Sequence, residues 1–343
     1  MLDDLKYIHN HDLSDALGVA EKQPAQLNHN FDAVFEQKDD ISNIVVGGMG
    51  GSGWPALYLK SWPGLSLPFE VVSNYELPKY VGPNTLFIAS SYSGNTEETL
   101  AALAEAEKRG AQITVMSNGG KLSELAKKHS HALFVIPAAS QPRMATFYFL
   151  AAYIQLFERL GLIPHNSQSI LIEAGHWLSG EIKNWLATVP SSKNQAKQLA
   201  REMVAKSVVV YAGPLLAPVA LKWKICINEN AKHIAWWNQF PEISHNEFIG
   251  WSSQPLDKPY CTVDLRSSLD NPRVAKRFDI TGRMLSGLRP DPEVVNAEGK
   301  TPLEQVLWTS VLGDFTSIYL GLLENVDPTP VELVEKFKKE LNN

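Results

Sequence analysis

Short apolar runs alternate along the chain with stretches in which apolar residues recur every three or four positions. The runs "NIVVGG" (43–48), "PFEVVSN" (68–74), "TLFIASS" (85–91), "QITVMSN" (112–118) and "HALFVIP" (131–137) are brief and rich in β-branched residues, as buried strands are. Between two of them, "TEETLAALAEAEKRG" (96–110) sets Leu100, Leu103 and Ala104 on one helical face. Strands alternating with helices predict an α/β fold with a mostly parallel, doubly wound sheet covered on both sides. The pattern restarts near Lys206. "SVVVYAG" (207–213) is followed by the helical "PLLAPVALKWKICINENAK" and by two further strand-like runs, "HIAWWNQF" and "PYCTVDLR" (259–266). In "PLEQVLWTSVLGDFTSIYLGLLENV" (302–326), Leu303, Val306, Leu307, Val311, Phe315, Ile318 and Leu322 predict an amphipathic helix with a wide apolar face. The resulting division is an N-terminal helical arm (1–40), a first αβα domain (41–165), connecting helices (166–205) and a second αβα domain (206–343).

Composition then narrows the function. With 343 residues, 44% hydrophobic and 20% charged, the chain reads as a soluble globular protein with room for two cores. A net charge of −6 offers no basic surface for nucleic acid. Cys226 and Cys261 form neither a disulfide framework nor a metal spacing. The N-terminus has no apolar core of a signal peptide and no run reads as a membrane span, so the expected location is the cytoplasm.

Two loops carry chemistry. In "GGMGGSG" (47–53) five of seven residues are glycine, and Gly48, Gly50 and Gly53 match the G-x-G-x-x-G spacing of dinucleotide sites. Such a site also needs an acid at the end of the next strand. Glu70 sits near the start of its strand, which ends in Ser73 and Asn74, so a dehydrogenase loses ground. A tight strand–helix turn without ligand would need fewer glycines. The second loop, "SSYSGNTEETL", offers Ser90, Ser91, Ser93, Asn95 and Thr96 at a helix start. Hydroxyls, first-turn amides and the helix dipole together suit a phosphate. Simple N-capping by Thr96 would need one hydroxyl, not four. A monophosphate fits better than a nucleotide, because the chain contains no G-x-x-x-x-G-K-[ST].

"GMGGSG" followed by "SYSGNTEET" resembles the sugar isomerase (SIS) domain. Together with "NENAK", "PEISHNEFIGW" and "LGDFTSIYLGLLENVDPTPVELVEKFK", the chain from about residue 40 onward is similar to the bifunctional phosphoglucose/phosphomannose isomerases. The resemblance implies two SIS domains, a homodimer, no cofactor, and metal-free interconversion of glucose 6-phosphate, mannose 6-phosphate and fructose 6-phosphate. It also implies roles. Glu229 would be the base that moves a proton between C1 and C2, and His245 the ring opener, reaching the neighbouring subunit's site. Arg143 would stabilise the enediolate, with Lys338 as a further catalytic lysine. Ser91, Ser93 and Thr96 would grip the phosphate. Gly50, Gly51 and Ser52 would line the sugar through their amides, a β-carbon at Gly50 or Gly51 then colliding with substrate. Thr316, or its neighbour Ser317, would leave room for mannose.

Other readings stay in view. Read without the resemblance, Glu229 is equally a solvated helix-end carboxylate beside Lys232, and Arg143 a surface arginine after a proline turn. A non-catalytic SIS sensor would share the phosphate loop but not need Glu229, His245 and Arg143. A glutamine-dependent amidotransferase lacks its cysteine after Met1. A zinc-dependent mannose isomerase is disfavoured: His129 and His131 flank one serine, Glu242 and His245 lack a partner pair, and no His/acid cluster has metal spacing.

Overall fold

The structure is a computed structural model that describes residues 1–37, 40–253 and 260–341. Among the described residues, nine strands form two all-parallel sheets. The first sheet holds β1 (Asn43–Gly47), β2 (Phe69–Val72), β3 (Thr85–Ser90), β4 (Gln112–Ser117) and β5 (Ala132–Val135) in the order β2-β1-β3-β4-β5. The second holds β6 (Ser207–Ala212), β7 (Ala235–Gln239), β8 (Tyr260–Arg266) and β9 (Glu293–Asn296) in the order β7-β6-β8-β9. Pro259, expected at the start of β8, lies outside the described residues. β9 is unheralded in the pattern, since four edge residues with a half-exposed face make a weak signal.

β3 and β4 are buried at every position, which is why they read as unbroken apolar runs rather than alternating ones. One face of the first sheet packs Val45, Phe87, Val115 and Ile113 against Ala102, Leu103 and Ala106 of the helix Glu97–Lys108 and Leu122 and Ala126 of the helix Gly120–His129. Around the second sheet, Val209, Tyr211 and Phe240 pack with Ile243, Trp251, Val274 and Phe278.

Contacts divide the chain into a unit of Lys22–Gly180 with Lys300–Leu307 and a unit of Met1–Glu21, Glu181–Gly299 and Trp308–Asn343. The first forty residues therefore do not act as one arm. Asp3 accepts hydrogen bonds from Ser191 N (2.8 Å) and Lys197 Nζ (3.3 Å) in the β6–β9 unit. Gln26 donates to Met144 O (2.7 Å), and Gln155 Oε1 accepts from Phe31 N (3.0 Å), in the β1–β5 unit.

The C-terminal helix also departs from expectation. Pro302–Leu323 is buried around its polar side too: Asp314, Thr316 and Ser317 have no exposure. Burial all round makes this a core helix, not a surface amphipathic one. Contrary to the reading that no run approaches a membrane span, this helix is long and apolar enough to cross one, with a mean hydropathy of 1.4 over its most apolar window; that window is 94% buried inside the protein.

Candidate active site

In an open parallel sheet, ligands bind beyond the carboxyl ends of the strands where the winding reverses direction. In the first sheet that point lies between β1 and β3, paired in register from Asn43↔Thr85 to Gly47↔Ala89. The two loops singled out in the sequence leave from these two strand ends.

The loops are stitched together by their own small residues. Ser52 Oγ accepts from Tyr92 N (2.8 Å), and Ser90 Oγ donates to Ser52 O (2.7 Å). The Tyr92 hydroxyl donates to Ala139 O at 2.9 Å and meets Ala139 N at 2.6 Å, tying in the loop that leads to Arg143. The glycines permit this approach. A β-carbon on Gly48 would lie 2.7 Å from Ser90 O, and one on Gly53 would run into Gly48 O. On Gly51 it would lie 2.8 Å from Arg143 N. At Gly50 (φ +44°) it would meet nothing within 4 Å. At Gly51 a side chain would thus meet protein, the Pro142–Arg143 turn, whereas at Gly50 the space is open. Ser52 also departs from expectation, because its amide already donates to Met49 O (3.0 Å) and is engaged before any sugar arrives.

In the second loop Ser91 is buried, Ser93 exposed and Thr96 intermediate. Thr96 occupies the N-cap of Glu97–Lys108 without capping it. Its hydroxyl pairs instead with Ser91 Oγ at 2.8 Å. The helix therefore starts without a side-chain cap, and its first-turn amides keep their capacity to donate to an anion. Gly94 (φ +68°) turns the loop where a β-carbon would strike Gly119 O. Arg143 lies in the turn Pro142–Met144 between β5 and the helix Thr146–Arg159. It is 1% exposed, which removes the reading of a surface arginine. Where a dehydrogenase would carry its ribose-binding acid, Ser73 donates to Gly48 O (2.9 Å), while Glu70 faces solvent and accepts from Tyr80.

The corresponding point of the second sheet is chemically opposite. Beyond β6, Gly213 leaves no room for a β-carbon because the Asp270 carboxylate sits there, with Asp270 Oδ1 accepting from Leu215 N (3.4 Å). Burial pushes the Asp270 carboxyl above its ordinary value. A fixed acid in that position is hostile to phosphate.

The remaining candidates all lie in the β6–β9 unit. Glu229 is half-buried near the end of the helix Ala217–Ala231. That helix is locked on Pro302–Leu323 by close approach and by polar contacts. A β-carbon at Gly321 would lie 2.7 Å from Asn230 O, and Trp223 covers Gly313. Lys222 pairs with Asp314, with no side-chain exposure on either. Asn230 Nδ2 donates to Ser317 Oγ (2.8 Å), which itself donates to Asp314 O (3.0 Å). Ser317 is thus committed, whereas the buried Thr316 Oγ1 has no hydrogen-bond partner among the described residues. Lys232 is the left-handed residue that ends the Glu229 helix, and its Nζ reaches the Asp327 and Asn230 carbonyls.

His245 is exposed, in the turn Glu242–His245. The segment around it is held from beneath by a network that sequence reasoning missed. The Tyr211 hydroxyl donates to Glu247, Asn238 Nδ2 donates to the same carboxylate (2.6 Å), and Trp251 Nε1 donates to Tyr211 Oη (3.0 Å). "SHNEF" contained Glu247, but nothing in linear spacing joins it to Tyr211. Of the tryptophans near this segment, Trp251 is core and Trp236 is exposed. Lys338 lies on the exposed helix Glu332–Leu341, paired with Glu335 (2.8 Å).

No linear metal spacing announces it, but folding gathers one histidine–acid group. Folding brings Glu107 to His129 and His131, and one ligand atom of each lies within 4.8 Å of the others.

Residues 39–159 match the SIS domain family, and residues 192–341 match the bacterial phospho-glucose isomerase C-terminal SIS domain. A bifunctional phosphoglucose/phosphomannose isomerase from Caldicellulosiruptor bescii is 36% identical over 314 residues, 90% of this chain and 92% of that protein. One of the same name from Aquifex aeolicus is 34% identical, covering 87% of this chain and 90% of the other. The solved glucose-6-phosphate isomerase like protein from Thermus thermophilus shares the fold at a TM-score of 0.66 and 18% identity, over 98% of both chains. By its extent of matching to these relatives, the chain belongs to the bifunctional phosphoglucose/phosphomannose isomerase family.

Proposed function

We propose that the protein interconverts glucose 6-phosphate and mannose 6-phosphate with fructose 6-phosphate through an enediolate, with no metal at the reacting carbons. The reading rests most on the contrast between the two switch points. Uncapped first-turn amides and the Ser91–Thr96 hydroxyl pair suit a phosphate beyond β3, while Asp270 opposes one beyond β6. Ser91, Ser93 and Thr96 then hold the phosphate, with Gly50, Gly51 and Ser52 beside the sugar. His245 opens the ring. Glu229 removes the proton from C2 and returns it to C1. Arg143, a cation held away from water, balances the negative oxygen that develops between these steps. Thr316 leaves space at C2 for either epimer, and Lys338 assists at the active site. The enzyme works in the cytoplasm as a homodimer in which His245 serves the neighbouring subunit; an exposed histidine on a well-anchored segment is consistent with that.

The test is fructose 6-phosphate formation from each aldose, with EDTA present, for wild type and Glu229→Gln. Loss of a positioned base lowers turnover by about 10²- to 10⁴-fold. The expected result is two activities in the wild type and their joint loss in a folded variant. A wild type that binds fructose 6-phosphate but converts neither aldose would instead be a phosphosugar-binding regulator or an isomerase of another phosphosugar.

A further inference from the structure

A three-ligand cluster lies at the other end of the β1–β5 unit from the phosphate loop. Glu107 is in the last turn of Glu97–Lys108, His129 ends the helix Gly120–His129, and His131 stands just before β5. Ser130 takes the left-handed conformation (φ 58°), and His131 N donates to Ala126 O (2.8 Å). This turn swings both imidazoles to one side, with ring centroids 5.7 Å apart. His129 Nδ1 and His131 Nε2 each lie 2.6 Å from the same oxygen, Glu107 Oε1. The side chains are 25% (Glu107), 35% (His129) and 18% (His131) exposed, so the cluster is sheltered but open on one side.

We propose that Glu107, His129 and His131 form a divalent transition-metal site of the zinc class, structural in role and separate from the isomerase chemistry. Two imidazoles and a carboxylate are a borderline donor set that prefers zinc and its neighbours over magnesium or calcium. Bonds of about 2.0–2.2 Å to such an ion place ligand atoms about 3.3 Å apart. The carboxylate oxygen therefore needs to retreat from each nitrogen by only about 0.7 Å, a small torsional change for glutamate. The open side supplies a fourth position for water. Thr96 and Glu107 are separated by the length of their shared helix, about 16 Å at 1.5 Å per residue. At that distance the ion cannot touch a substrate phosphate held at Thr96; it pins the helix end to the turn before β5.

The experiment uses the full chain stripped with chelator, titrated with Co²⁺ and then with Zn²⁺. The expected result is one equivalent bound, with the visible ligand-field band of four-coordinate Co²⁺ displaced by Zn²⁺. Zinc should raise the unfolding temperature reversibly with EDTA. His131→Asn and His129→Gln, at partly exposed positions and checked for folding by circular dichroism, should each weaken binding by at least about 10- to 100-fold. Aldose turnover by the wild type should be the same with zinc or EDTA. Absence of stoichiometric uptake, or uptake that both variants retain, would overturn the proposal and leave a carboxylate bridging two imidazoles by hydrogen bonds alone.

Discussion

At Gly51 the backbone of Arg143 stands where any side chain would begin. Gly51→Ala should therefore push the Pro142–Arg143 turn outward, at about 1–3 kcal/mol for overpacking a tight contact. Gly82→Ala is the control: its β-carbon would meet nothing within 4 Å, and stability should change by no more than about 0.5 kcal/mol. Urea midpoints of the two variants distinguish this account from general loop fragility, in which both would shift alike. The run of glycines was legible in the sequence; the cause was not. Close approach of three strand-end loops depends on the register of β1 on β3, which no local spacing expresses.

At the scale of elements, the segment from Glu242 to Ser253 has few apolar anchors, and its polar network does much of the holding. Burial first, and then the Glu247 carboxylate, push the Tyr211 phenol far above its ordinary value, so it stays a donor at all working pH. Tyr211→Phe removes the donor to Glu247 and strands the buried Trp251 N–H. The expected loss is about 1–3 kcal/mol by chemical denaturation, the cost of an unmet buried group. A variant as stable as wild type would mean that packing of Trp251 alone secures the segment. The helix Ala217–Ala231 is held in the opposite manner, by close packing at Gly313 and Gly321 around the Lys222–Asp314 pair. Its existence was readable from apolar spacing. Its partner helix was misread as amphipathic because polar residues look solvent-facing until their buried partners are known.

At the scale of the whole chain, the N-terminal residues are tied to a distant part of the sequence through Asp3. Hydrogen bonds from Ser191 are the main reason its carboxyl falls below the ordinary value, with Lys197 adding to them and burial opposing. A carboxyl lowered by folding stabilises above its unfolded value, near 3.8, and the contribution disappears as pH falls through the folded value. Asp3→Asn should therefore be less stable than wild type at pH 7, and the difference should close progressively below about pH 4. Denaturation midpoints at several pH values check this. A difference that persists at low pH would show that the effect comes from shape rather than charge.

Eight of the nine strands among the described residues and the positions of both loops were determined by the sequence itself. Burial on both faces writes parallel strands as continuous apolar runs, and close approach of strand-end loops demands small residues between strand and helix. Arg143 and Ser91 were also visible there, as residue types in a telling place. Tertiary structure alone decided what those residues touch. It drew the Ser52 amide into a turn, paired the Thr96 hydroxyl with Ser91, filled the second switch point with Asp270 and gathered Glu107 to His129 and His131. The last of these spans two helices and the turn before β5, with the histidines 22 and 24 positions from Glu107 in the chain. Periodicity reports which way a side chain faces along its own element; which other element it meets is set by sheet order and register.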